Sequence, residues 1–109
     1  MKAIVAFIRP SKEDAVREAL HELSGLTGAS FSDLRGFGRG RTHGGAEDIV
    51  GVAARVRVEV MVNDLMAPAV ESSIARVAHT GLRGDGKIYV LPLEAARRVA
   101  TGETGADAI

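Results

Sequence analysis

Alternating apolar side chains near the middle of the chain restrict its fold more than any other feature. Valine occupies every second position from Val56 to Val62, and the positions between hold Arg57, Glu59 and Met61. A repeat of two residues is the repeat of a β-strand, whose successive side chains point to opposite faces. The sequence therefore predicts a strand here with one face on the core and its other face free for other uses.

Further patterns predict three more strands and two helices. Apolar runs at 3–8 and 88–91 favour strands, and 29–37 reads as a further strand although its apolar residues do not alternate cleanly. Apolar residues at helical spacing predict a first helix, which starts at a capping box beginning at Ser11 and ends near Gly25. A second helix runs from Met66 to Ala78, with Pro68 tolerated in its first turn.

The resulting order β-α-β-β-α-β predicts an α+β, ferredoxin-like fold. Such a fold has a four-stranded antiparallel sheet with two helices on one face. The opposite face is left bare, and apolar members such as Met61 favour its burial by another subunit. We therefore expect self-association.

Composition excludes several classes of protein. The 109 residues form one domain, and 14 basic residues balance 14 acidic ones, so no overall charge attracts nucleic acid or an anionic membrane. The chain has no cysteine, which removes disulfides, thiolate metal sites and a cysteine nucleophile. Aromatic residues make up 4%, too few for a base-stacking surface. Short apolar runs and a strand-like start without a cleavage region predict no membrane insertion and a cytoplasmic location.

Residues 80–88, TGLRGDGKI, form what we term the glycine loop. Its glycines allow a backbone that brings several N–H groups toward one anion, and Lys87 adds a mobile positive charge. It is not a Walker A loop, because Ile88 follows the lysine where a magnesium-binding hydroxyl belongs. The pattern indicates a phosphate cradle, and the alternative is an ordinary turn around Asp85.

The stretch 36–51 between predicted strands two and three holds six glycines. Compact domains seldom keep such a long loop unless it binds something. His43 lies near Glu47 and Asp48, a set that would suit a metal if several subunits converged. No nucleophilic residue has an adjacent base, and no two carboxylates stand at a spacing that suits acid–base catalysis. We therefore expect the protein to have no enzymatic activity.

Four motifs in order resemble the PII nitrogen-regulatory signalling proteins nearly end to end. They are Gly36-Phe37-Gly38-Arg39, Gly45-Ala46-Glu47, the glycine loop and Thr101-Gly102-Glu103. The resemblance implies a cytoplasmic homotrimer that binds ATP or ADP, and AMP as a further candidate, in clefts between subunits. It also implies a T-loop at about 39–54 that controls a transporter or enzyme, a B-loop at about 80–88 and a C-terminal loop at about 93–109.

The resemblance further implies two sets of site residues in this chain. The first set would bind the nucleotide, with Lys87 and Arg98 on its phosphates and Ser30 beside its base. Its members are Ser30, Gly38, Glu59, Met61, Thr80, Gly84, Asp85, Gly86, Lys87 and Arg98. The second set belongs to the T-loop and its effector, namely Arg39, Gly40, Arg41, His43 and Arg55.

Several positions depart from the family pattern. Gly40 replaces a glutamine that helps to hold magnesium and 2-oxoglutarate, and Arg55 replaces a lysine. We therefore expect no 2-oxoglutarate sensing and leave a role for magnesium open. Ala100 replaces a second phosphate-binding arginine, which predicts weak ATP binding relative to ADP or AMP. Ala46 and Asp48 replace the modifiable serine and tyrosine in a loop about four residues shorter.

Two other classes of function stay open at the level of sequence. One is a PII-like trimer that senses a metal ion or a small anion such as bicarbonate and regulates a transporter or carboxylase. The other is a structural adaptor that recognises a partner through the T-loop without any ligand. Stabilisation by a metal ion or by bicarbonate would indicate the sensing trimer. Stability that does not depend on any ligand would indicate the structural adaptor.

Overall fold

Four strands and two helices follow one another in the predicted order. The computed structural model describes residues 1–38 and 52–109. The strands are β1 Lys2–Ile8, β2 Ser30–Phe37, β3 Val52–Val62 and β4 Gly86–Pro92, and the helices are α1 Glu13–His21 and α2 Ala67–Ala78. Single 3-10 turns form at Pro10–Lys12 and Gly105–Ala108.

The strands form one antiparallel sheet in the order β2-β3-β1-β4. In the register of the sheet, Ile4 of β1 lies between Val60 of β3 and Val90 of β4. β2 and β4 are therefore the two edge strands. This topology confirms the predicted ferredoxin-like fold with its four-stranded antiparallel sheet and two helices.

One face of the sheet packs under both helices. The alternating valines of β3 point to this face, and each is at most 2% exposed. They pack with residues of β1 and with the apolar stripes of α1 and α2. The fully buried side chains of this core are Ile4, Ile8, Ile74, Val16, Val56, Val58, Val60, Val62 and Val70.

The other face of the sheet, which we term the open face, carries the alternate side chains. Arg57 pairs with Glu59 at 2.7 Å, and its guanidinium lies 5.6 Å from the centre of the Phe7 ring. Tyr89 meets Phe7 edge to face, with 6.2 Å between ring centres. Met61 is 37% exposed, so apolar and charged surface alternate on this face.

The start of α1 differs from the prediction. No capping box forms, because Pro10 begins a 3-10 turn that contains Ser11 and leads straight into the helix at Glu13. Proline favours the first position of a helical turn, since it has a fixed φ and no N–H. Leu23 lies beyond the end of α1, although it still packs against the core. Pro68 falls in the first turn of α2, as predicted.

Strand ends also differ from their predicted positions. β3 begins at Val52, which pairs with Phe37, so 52–54 belong to the strand and not to the predicted loop. β4 begins at Gly86, two residues before the predicted start. In both cases pairing with a neighbouring strand extends the element beyond its apolar pattern, because backbone hydrogen bonds do not depend on side-chain polarity.

We predict that Val58→Ala destabilises the fold by about 2 kcal/mol, because it removes two buried methyl groups and leaves a cavity. Val52→Ala on the same strand is the matched control, since Val52 is 66% exposed and Val58 is fully buried. Urea unfolding followed by circular dichroism at one fixed protein concentration measures both changes. Equal losses for the two variants would contradict the assignment of the core.

Candidate functional site

An open groove lies beside the ends of β2 and β3. It encloses about 330 Å³ and is lined by the backbone segment 27–30 and by Glu59, Met61 and Ile109. Ser30 and Glu59 are direct partners in the β2–β3 register, so strand pairing places their side chains next to each other. The groove combines an apolar wall from Met61 with a hydroxyl and a carboxylate, which suits a flat ligand with polar edges.

The glycine loop is organised around the carboxylate of Asp85. The backbone N–H groups of Thr80 and Gly81 donate to its Oδ2 at 2.7 and 3.0 Å. The Thr80 hydroxyl and the Arg9 Nε donate to Oδ1, the latter at 3.1 Å. His79 Nδ1 lies 3.6 Å from Oδ2. The loop thus folds around a negative charge of its own.

These contacts also control the ionisation of Asp85. Hydrogen bonds from the Thr80 hydroxyl and the Thr80 backbone N–H, followed by those from Arg9 and Gly81, hold the pKa of this carboxyl far below its usual value. Desolvation acts in the opposite direction and is outweighed. Asp85 therefore stays ionised, and its bonds persist, at any pH near neutrality.

Two guanidinium groups flank Gly84 at the tip of the loop. A Cβ placed on Gly84 would lie 3.3 Å from Arg55 Nη2 and 3.5 Å from Arg9 Nη2, and the residue has a φ of +89°. The Arg9 Nη2 also donates to the carbonyl of Arg83. A glycine backbone with positive φ between two cations is a geometry that receives anions.

Gly86 joins the loop to β4 and tolerates no side chain. Its φ is +107°, and a Cβ at this position would lie 1.7 Å from the carbonyl oxygen of Phe7. Gly86 pairs with Ile8 at the end of β1, so the close approach is part of the sheet itself. The exposed Lys87 follows as the next residue of β4, on the same face as its partner Phe7.

The groove and the glycine loop lie at opposite edges of the sheet. Ser30 stands on edge strand β2, and Lys87 stands on edge strand β4. The two are separated by three strand spacings, about 14 Å. Within one chain these two sets of residues therefore do not converge on one site.

The C-terminal segment brings a further cation toward the groove. The Arg98 backbone N–H donates to the carbonyl of Glu103 at 2.8 Å, which closes a tight loop. Arg98 Nη2 lies 3.4 Å from the carbonyl oxygen of Ile109, the residue that lines the groove. Gly38 is exposed, and no atom of residues 1–38 or 52–109 lies within 4 Å of the position that a Cβ would take.

Comparison with known proteins gives one consistent result. The family model for nitrogen regulatory protein P-II matches residues 1–103. The chain belongs to the P-II family. The nitrogen regulatory protein P-II of Azospirillum brasilense is 44% identical and that of Rhizobium meliloti 47% identical, each over the full length of both chains. The solved structure of the B. subtilis GlnK–ATP complex superposes with a TM-score of 0.84 at 27% identity, covering 99% of this chain and 96% of that one.

Membership of the P-II family confirms the resemblance seen in the sequence. The family is one of regulatory proteins, so this P-II protein is a regulator and not an enzyme. The full-length alignments span 113 positions against 109 residues in this chain. No helix within 1–38 or 52–109 is long and apolar enough to cross a bilayer.

The structure divides the predicted site residues of the P-II protein into separate groups. Ser30, Glu59 and Met61 share the groove, Arg98 lies near it, and Thr80, Gly84, Asp85, Gly86 and Lys87 belong to the glycine loop and the start of β4. Arg55, predicted as an effector residue, lies beside Gly84. The remaining predictions, Arg39, Gly40, Arg41 and His43, lie outside the described residues.

Sequence reasoning missed Arg9. It follows β1 directly, and the antiparallel pairing of β1 with β4 brings that strand end against the start of β4. Its ion pair with Asp85 joins residues 76 positions apart. The available signal was a cation immediately after the first apolar run, but its proximity to the glycine loop depends on the pairing of β1 with β4.

We predict that Gly86→Ala destabilises this P-II protein far more than Gly105→Ala. Both glycines have positive φ, so both substitutions incur the backbone strain of about 1–2 kcal/mol. The Cβ at Gly86 would clash with the Phe7 carbonyl, whereas no atom in the described part of the chain lies within 4 Å of the one at Gly105. The difference between the unfolding free energies of the two variants measures the clash with Phe7. Similar unfolding free energies for both variants would contradict the close approach of Gly86 to Phe7.

Acid titration tests the environment of Asp85. Because the pKa of Asp85 is lowered in the folded protein, its bonds contribute stability above the usual carboxyl pKa near 3.8. That contribution decreases progressively as the pH falls from the usual value, and it is gone once the pH has fallen through the lower, folded value. The Asp85 carboxyl resonance is therefore expected to show an ionised group at pH 3.8. Thr80→Val removes the largest cause and should move the midpoint upward, and an ordinary midpoint in the unaltered protein would contradict the network.

Proposed function

We propose that this P-II protein is a cytoplasmic, homotrimeric regulator that binds ATP or ADP between neighbouring subunits. The observation that carries the proposal is the placement of two complementary half-sites at opposite edges of one sheet. A second copy can bring the β2 edge of one subunit to the β4 edge of the next, which completes a site that one chain lacks. The similar GlnK structure is a complex with ATP.

The groove suits the adenosine part of the ligand. The side chain of Met61 offers an apolar surface for a purine, and Ser30 and Glu59 offer hydrogen-bonding groups for the base and the ribose. The volume of about 330 Å³ lies at the lower end of the range for small-molecule pockets, and a neighbouring subunit would enclose the groove further.

The glycine loop suits the phosphates. Lys87 is exposed on β4, and Arg55 Nη2 faces the backbone of Gly84. Arg98 adds a positive charge from the C-terminal segment. Phosphate oxygens bind well to such a combination of main-chain N–H groups and cationic side chains. Thr80 and Asp85 use their polar groups on each other, so we assign them the role of shaping the loop.

Homotrimer formation through the open face follows from its surface. Tyr89 and Leu91 are 47% and 44% exposed in the single chain, and Met61 lies on the same face. Burial of this apolar surface stabilises an oligomer, while the Arg57–Glu59 pair satisfies the charges within it. Three copies around an axis would also juxtapose the sheet edges that carry the half-sites.

Control of a partner protein is assigned to the T-loop. Nucleotide contacts at Gly38 and Arg55, on either side of residues 39–51, link the site to that segment. Gly40 provides no side chain for 2-oxoglutarate, so we assign sensing to the nucleotide alone. The regulated partner, a transporter or an enzyme, would then read the ratio of ATP to ADP through the T-loop.

Calorimetry with ATP, ADP and AMP tests the proposal. We expect ADP to bind at least as tightly as ATP, because Ala100 replaces one phosphate-binding arginine. Lys87→Ala should weaken ADP binding about 10-fold or more, the loss expected for one charge-assisted hydrogen bond. Lys12→Ala, outside both half-sites, is the control. Absence of binding by all three nucleotides at millimolar concentration, or a monomer in light scattering, would refute the proposed site.

A further inference from the structure

Arg9 reaches from the end of β1 into the glycine loop and makes two contacts there. Its Nε donates to Asp85 at 3.1 Å, and its Nη2 donates to the Arg83 carbonyl. The Arg9 and Asp85 side chains are 28% and 21% exposed, so the pair is partly shielded from water. Such a pair is stronger than one on an open surface, and the fork of the guanidinium adds geometric precision.

The carbonyl contact determines where the next N–H points. In a trans peptide unit the C=O and the N–H point in opposite directions, and the chain has no cis peptide bond in its described part. Because the Arg83 carbonyl points toward Arg9, the Gly84 N–H that shares its peptide plane points away from Arg9. Rotation of this peptide would instead direct the carbonyl oxygen outward, where it would repel a phosphate.

The ion pair between Arg9 and Asp85 compensates the negative charge within the loop. An unpaired carboxylate one residue from Gly84 would oppose any anion that approached the same backbone. Arg9 places a positive charge directly on this carboxylate, while the N–H groups of Thr80 and Gly81 disperse the remainder. The negative charge that shapes the loop is thereby compensated inside the loop.

Arg55, the second arginine beside Gly84, differs from Arg9 in the atoms to which it donates. Its Nη1 donates to the adjacent Ala54 carbonyl at 2.8 Å, and its Nη2 faces Gly84. The two arginines beside Gly84 therefore have different tasks. Arg9 directs its Nε and Nη2 to acceptor atoms of the loop. Arg55 Nη2 also lies beside the glycine backbone, but Arg55 donates to no loop atom in the described part of the chain.

We propose that Arg9 is a positioning residue for phosphate binding, which acts through Asp85 and the Arg83 carbonyl and does not bind the phosphate itself. This inference rests on the proposed nucleotide function. Arg9 would then strengthen binding of the phosphates, but not of the adenosine part, without contacting the ligand.

Binding of ADP and of adenosine to an Arg9→Met variant tests the inference. Methionine keeps the apolar stem and removes every donor, so ADP affinity should fall about 10-fold or more while adenosine affinity stays unchanged. Arg9→Lys, which can pair with Asp85 but has no fork, should give an intermediate loss. Arg17→Met is the matched control, because Arg17 also makes two ion pairs, with Glu13 and Asp14 on α1. Unchanged ADP affinity in Arg9→Met, or an equal loss for adenosine, would overturn the inference.

A double-mutant cycle with Asp85→Ala separates positioning from direct contact. If Arg9 acts through Asp85, the double variant should bind ADP about as weakly as Asp85→Ala alone. Losses that multiply would show that Arg9 acts independently of Asp85 and would overturn the inference that it works through that carboxylate.

Hydrogen exchange at the Thr80 and Gly81 amides, measured without nucleotide, distinguishes failure of the positioning role of Arg9 from failure of the proposed nucleotide function. Faster exchange in Arg9→Met than in Arg17→Met shows that Arg9 orders the loop. If this result accompanies a parent protein that binds no nucleotide, the proposed function fails while the loop-ordering role stands. Equal exchange in the two variants overturns the positioning role, whatever the parent protein binds.

Discussion

An internal carboxylate gives the glycine loop its shape. Asp85 gathers the Thr80 and Gly81 N–H groups, the Thr80 hydroxyl and Arg9 around one negative charge, so the loop is formed before any ligand arrives. A loop rich in glycine would otherwise lose much conformational entropy on binding. Charge-assisted hydrogen bonds offset that cost in advance, which is the physical meaning of preorganisation in a phosphate site. Lys87 follows Asp85 by two residues, where the loop joins β4.

The antiparallel register provides the second constraint. It places the close approach of Gly86 and Phe7 at the mouth of the loop, so only glycine can join loop and strand there. It also places Ser30 and Lys87 on opposite edge strands, with β3 and β1 between them. A P-II chain with this arrangement carries the two halves of its proposed site apart, and in the proposed trimer assembly rather than folding would bring them together. Ligand binding and subunit contact are then thermodynamically linked, since each favours the same assembled state.

Much of the fold was predictable from local patterns. The alternation at Val56–Val62 and the helical spacing from Met66 to Ala78 reflect periodicities of single elements, and both elements formed as predicted. The capping box at Ser11 failed because Pro10 imposed a 3-10 turn first, a competition that the motif itself does not reveal. The predicted starts of β3 and β4 were wrong because pairing extended β3 beyond its alternating pattern and β4 beyond its apolar run. The candidate ligand residues separate into a groove set and a loop set only once the strand partners are known, since Ser30 and Glu59 are 29 positions apart in the chain.

By itself the sequence determined the order of strands and helices and the family, and it suggested the type of ligand that we propose. These are properties of periodicity and motif, which each segment carries without reference to distant parts of the chain. Only the tertiary structure decided that Arg9 and Asp85 form a pair, that Asp85 faces inward, and that the groove and the loop occupy opposite edges. The reason is that an ion pair or a shared groove depends on distances between atoms that the chain separates by dozens of residues. Those distances exist only when the four strands have paired.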